Sequence, residues 1–138
     1  SNLAIVRTGE DSVIIQVSTR SSSEDILLEL RNKIVNEINA AKAEYSISGS
    51  YPEWEYKAKS ELREIALGLY KDMYGKEMLS TVIHAGLECG VFAKKYPKLD
   101  IISIGPNIYD VHTPKERLSI SSTKRVYEYL IELLKRLK

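Results

Sequence analysis

Two short apolar runs begin the chain. Leu3 to Val6 meets a turn at Thr8-Gly9-Glu10-Asp11, and a second run follows from Val13 to Val17. Runs rich in β-branched residues, joined by a glycine-containing turn, predict a β-hairpin. Arg20-Ser21-Ser22-Ser23 then offers Ser22 or Ser23 as an N-cap, with Glu24 and Asp25 in the first turn, where the helix dipole favours acid. Ile26, Leu27, Leu30, Ile34, Ile38 and Ala41 recur at helical spacing and predict a buried helix face ending near Ala41. A strand is expected next, from Glu44 to Ser48.

Gly49-Ser50-Tyr51-Pro52 breaks both periodicities and is the best candidate boundary, with Trp54 and Tyr56 on a loop beyond it. Leu62, Ile65, Ala66, Leu69, Tyr70 and Met73 mark a second amphipathic helix, closed by Gly75. The pattern then predicts a strand at Leu79 to Ile83, a helix at about Leu87 to Lys95 and a strand at Ile101 to Ile104. A long loop and a last helix, about Ser122 to Leu137, complete it. Alternating helices and strands argue for an α/β layered piece.

Composition narrows the field. The 138 residues are 43 % apolar and 28 % charged, the profile of a globular protein. Charges nearly cancel at +1, and no basic stripe interleaves with aromatics, so nucleic acid is not the expected partner. No apolar run approaches a membrane span, and no membrane partner is expected. The single cysteine, Cys89, cannot form an internal disulfide, and a cytoplasmic location is the default expectation. Ser1-Asn2 reads as a remnant of tag cleavage, and the absent initiator Met suggests a piece of something longer.

The candidate chemistry lies around the two histidines. Ile83-His84-Ala85-Gly86-Leu87-Glu88-Cys89-Gly90 sits where a strand should hand over to a helix. A small-residue turn there leaves N–H groups free to seat a carboxylate or phosphate, and Gly86 would let a ligand approach the backbone. The same glycine also reads as plain turn chemistry. His84, Glu88 and Cys89 are metal-ligand types, but His84 closes a strand while Glu88 lies in the helix, so they do not share a helical face. A hydrogen-bonded strand-end histidine and a small buried cysteine are the simpler readings. The second segment is Gly105-Pro106-Asn107-Ile108-Tyr109-Asp110-Val111-His112-Thr113-Pro114-Lys115-Glu116. His112, on a loop stiffened by Pro114, is a candidate ligand through neutral imidazole. Zinc needs three or four protein ligands, and the remaining carboxylates do not assemble a set.

Taken together, these segments, with Ile101-Ile102-Ser103-Ile104-Gly105-Pro106 and His112-Thr113-Pro114-x-Glu116 in the same order and spacing, resemble the C-terminal region of the aminoacyl-histidine (Xaa-His, carnosinase-like) dipeptidases of the M20 metallopeptidases. The resemblance extends upstream through Ser18-Thr19-Arg20-Ser21-Ser22 and Gly49-x-Tyr51-Pro52-x-Trp54. It implies that His112 ligates one of two zinc ions. It also implies that Arg20 reaches the substrate's C-terminal carboxylate from a lid, as a bidentate guanidinium can, and that Gly86 lies in the substrate-binding turn. The family usually has Arg-Gly-Ala before the metal histidine and Ser-Pro-Asp-Glu after it. Here Tyr109-Asp110-Val111 precede His112, and Thr113-Pro114-Lys115-Glu116 follow.

The family's H-x-D pair, its Glu-Glu pair with the general base and its remaining acidic ligand are all absent from this chain, so no catalytic residue is expected within it. The resulting expectation is an α/β chain made of a partial lid (strand-strand-helix-strand, residues 1–48) and the C-terminal half of a zinc-peptidase catalytic domain (49–138). Such a chain would belong to a dipeptidase acting on small Xaa-His peptides and be inactive without the N-terminal part of the same enzyme. Homo-oligomerisation or exposed apolar patches are expected to accompany the missing half. The rival expectation is a non-enzymatic peptide- or protein-binding module, with a structural dimerisation domain third.

Overall fold

The computed structural model describes residues 1–83 and 87–138. Its elements are β1 (Asn2–Thr8), β2 (Val13–Ser18), α1 (Glu24–Ala40), α2 (Glu61–Tyr74), α3 (Glu88–Lys95), β3 (Ile108–Tyr109), β4 (Arg117–Leu118) and α4 (Ile120–Arg136). Contacts group the chain into two compact units. One comprises Ser1–Lys57 with Thr81–Lys98, and the other Ala58–Ser80 with Leu99–Lys138.

In the first unit, β1 and β2 pair antiparallel as expected, with a register irregularity between Leu3 and Ile5. Gly9 closes the turn by donating its N–H to the Ser12 carbonyl at 2.8 Å. Helix α1 starts after Ser23, one of the two predicted caps, although the Ser23 side chain makes no capping hydrogen bond. Its apolar stripe is only half-buried, at Leu27, Leu30, Ile34 and Ile38. No residue of α1 is fully buried, and Ile26 is 59 % exposed. Helix α3 lies close against the preceding segment, because a Cβ on Gly90 would come within 2.3 Å of the Pro52 carbonyl oxygen.

The second unit holds the core. Ala66 and Leu69 on α2 meet Tyr129 and Leu133 on α4, flanked by Ile65, Tyr70, Tyr74, Met78 and Ile102. Burying a leucine-sized side chain stabilises by roughly 1.5–3 kcal/mol. The Tyr129 hydroxyl donates to the Ala66 carbonyl at 2.7 Å, and Arg136 pairs with Asp72 at 2.7 Å. Ser60 caps α2 by accepting from the Arg63 N–H at 3.1 Å, while Asp100 accepts from the Leu62 N–H at 3.0 Å. Gly75 ends α2 in the left-handed conformation (φ 64°), as its position past the last apolar residue predicts.

The α/β composition holds, but the strands differ from those expected. None forms at 44–48, 79–83 or 101–104 among the described residues, so the strand–strand–helix–strand pattern lacks its last member. What exists is two antiparallel hairpins, β1–β2 and β3–β4. A strand requires a ladder partner for its N–H and C=O groups, and apolar character alone does not supply one. Ile102 instead packs against the α2–α4 core as irregular chain. The β3–β4 hairpin, inside the segment expected to be a long loop, was not anticipated.

Candidate functional site

The β3–β4 hairpin carries His112 at its tip, and its position follows from α4. Ser119 caps that helix, its hydroxyl accepting from the Ser122 N–H at 3.3 Å. The buried Ser122 hydroxyl donates to the Ser119 carbonyl at 2.9 Å and accepts from the Asn107 N–H at 2.9 Å. Ser119 N–H then donates to the Asn107 carbonyl at 3.0 Å, closing the base of the hairpin directly onto the first turn of α4. Two residue pairs complete the ladder, Ile108 with Leu118 and Tyr109 with Arg117.

Within the loop, polar side chains do the folding. Arg117 pairs with the Asp110 carboxylate and lies 5.2 Å from the centre of the Tyr109 ring. The Thr113 hydroxyl donates to the Asp110 carbonyl at 2.7 Å, and the Glu116 N–H donates to the Thr113 carbonyl at 3.0 Å. Asp110 (φ 52°) and His112 (φ 64°) both take the left-handed conformation. Residues other than glycine enter that region seldom, and it must be held by surrounding contacts. The His112 N–H donates to the Glu116 carboxylate at 2.9 Å. His112 is exposed at the tip.

Arg20 belongs to the other unit, in the stretch between β2 and α1, and is exposed. Gly86 lies outside the described residues, as does His84. Cys89 is half-buried and free, at the start of α3. Within this segment the close backbone approach found in the structure belongs to Gly90. Its sequence cue was only its place in the motif, since the strap at Pro52 and Glu53 comes from far along the chain.

Zinc, implied at His112, needs further donors. Among the described residues, no group of three or more His, Cys, Asp or Glu side chains could hold a metal ion. Glu116, the nearest carboxylate in the motif, accepts from main chain at His112. The described residues therefore do not form a zinc site of their own. No described helix is long and apolar enough to cross a membrane.

Comparison with known proteins places these observations. No family model matches the chain. It is 34 % identical over 137 residues to the cytosol non-specific dipeptidase of Escherichia coli (strain K12), an alignment covering 97 % of this chain and 28 % of that protein. The crystal structure of aminoacylhistidine dipeptidase from Vibrio alginolyticus superimposes with a TM-score of 0.80 at 30 % identity, covering 98 % of this chain and 28 % of that one. The chain thus spans between a quarter and a third of the length of these relatives, and what it matches is their C-terminal portion.

Proposed function

We propose, from the premise that this chain is a homologue of the C-terminal portion of dipeptidases, that it supplies part of the active site of a metal-dependent dipeptidase hydrolysing small peptides of the Xaa-His type. The observation that carries this reading is the match over 97 % of the chain. The His-Thr-Pro-x-Glu segment forms an ordered hairpin that presents His112 at its exposed tip. In the parent enzyme, two zinc ions would supply the hydrolytic chemistry, held mainly by residues outside this chain. His112 contributes one imidazole ligand. Arg20, exposed beside the end of β2, binds the substrate's carboxylate, and Gly86 belongs to the substrate-binding turn.

Residues 1–48 form the end of the lid and 49–138 the end of the catalytic domain. A cytoplasmic setting accords with the description of the Escherichia coli relative as a cytosol enzyme. Every buried hydrophobic side chain among the described residues lies in the α2–α4 unit. In the other unit, Leu3, Val6, Ile14 and Ile15 are all more than half exposed. Apolar surface of that kind fits a chain completed by the rest of the enzyme or by a second copy.

The altered flank of His112 supports a second reading. Asp110 is engaged with Arg117 in closing the hairpin, which is equally useful to a module that binds a peptide or protein without cleaving it. Zinc titration of the isolated chain separates part of this. Weak binding, lost in His112→Ala, is expected of a one-ligand contribution. Tight stoichiometric binding would contradict it.

A further inference from the structure

We infer that Glu116 is a positioning residue, holding the main chain of His112 in the left-handed conformation that aims its imidazole. The inference rests on the dipeptidase reading only for its consequence in catalysis; the conformational part stands on geometry alone. His112 has φ 64°, and its N–H donates to the Glu116 carboxylate at 2.9 Å. Among the described residues, no other acceptor is found for that N–H. The carboxylate is delivered from just before β4, where the Glu116 N–H is itself fixed by the Thr113 carbonyl at 3.0 Å. Pro114 stiffens the intervening turn, and Arg117, the next residue, is tied to Asp110. The Thr113 N–H donates to the Asp110 carbonyl at 3.2 Å across the tip, and among the hydrogen bonds of the described residues the Glu116 bond alone is made to the main chain of His112 itself.

Without this bond, φ of His112 is released to return to negative values, a rotation of about 120° that swings the Cα–Cβ direction and carries the ring away from its present heading. Misplacement of a reacting group by about 1 Å is enough to cost on the order of 100-fold in rate. Gln in place of Glu keeps an acceptor oxygen of the same reach, whereas Ala removes it.

The test compares wild type, Glu116→Ala and Glu116→Gln in two settings. In the 138-residue chain, the intraresidue amide–Hα cross-peak of His112, strong when φ is positive, should weaken in Glu116→Ala. Exchange of its amide should speed by about fivefold, and Glu116→Gln should restore both. In the longest product of the reading frame, Xaa-His hydrolysis should fall in kcat by about 10- to 100-fold with KM little changed, again restored by Gln. An unchanged cross-peak and amide exchange in Glu116→Ala would overturn the inference whatever the activity. If those change as expected while even the wild-type long product hydrolyses no Xaa-His peptide, the positioning role stands and the dipeptidase reading fails.

Discussion

At Tyr129, one hydroxyl joins the two helices of the core. It donates to the Ala66 carbonyl from a residue only 4 % exposed, beside the Tyr70 ring at 6.0 Å. Burial, with the nearby Tyr74 and Tyr70 hydroxyls, raises its pKa above the ordinary tyrosine value. A raised pKa means that the unfolded chain releases its proton first. The stabilisation is therefore complete below the ordinary tyrosine pKa of about 10 and is lost as pH climbs beyond it. Tyr129→Phe should cost about 1 kcal/mol at neutral pH, since Phe keeps the ring but not the bond. It should also flatten the alkaline limb of a Tm-against-pH curve; an unchanged limb would mean another group governs it. Tyr129 stands two turns past Ser122 in a clean amphipathic run, so its burial was legible. Its partner, 63 positions earlier, was not. Glu116 was legible as a motif letter, but its service to the His112 N–H depends on a left-handed tip that no periodicity announces.

Elements divide by what defines them. The four helices were readable to within a few residues because their spacing, caps and the stop at Gly75 are local properties. The expected strands at 44–48, 79–83 and 101–104 failed because a strand is a relation between two segments, and apolar runs do not specify their partners. For the same reason the two-residue β3–β4 ladder was invisible, being created by Asp110, Arg117 and the Ser122 anchor. Helix α3 gives the element-scale prediction. Gly90→Ala should favour the helix intrinsically by about 0.8–1 kcal/mol, but the new Cβ would meet the Pro52 carbonyl oxygen at 2.3 Å and the Glu53 carbonyl oxygen at 3.1 Å. Crowding of backbone by backbone should win, costing about 1–3 kcal/mol net. The readout is amide protection across Glu88–Lys95, which should fall; increased protection would show that the strap at 52–53 gives way freely.

For the whole molecule, the two units are unequally complete. The α2–α4 unit has a core, aromatic contacts and a hairpin seated on a capped helix. The β1–β2 and α1 unit leaves many of its apolar side chains exposed, Leu3, Val6, Ile14 and Ile15 among them. That asymmetry, with a match to 28 % of each relative, accords with the reading proposed above. The residues proposed for the site fall accordingly: His112 in the first of these, Arg20 in the second. The most direct measurement is hydrolysis of carnosine and other Xaa-His dipeptides with added zinc, by this chain and by the longest product of its reading frame. Activity is expected in the longer protein alone, and His112→Ala should abolish it. Turnover by the isolated chain, or full activity of the longer protein without the His112 imidazole, would contradict this expectation.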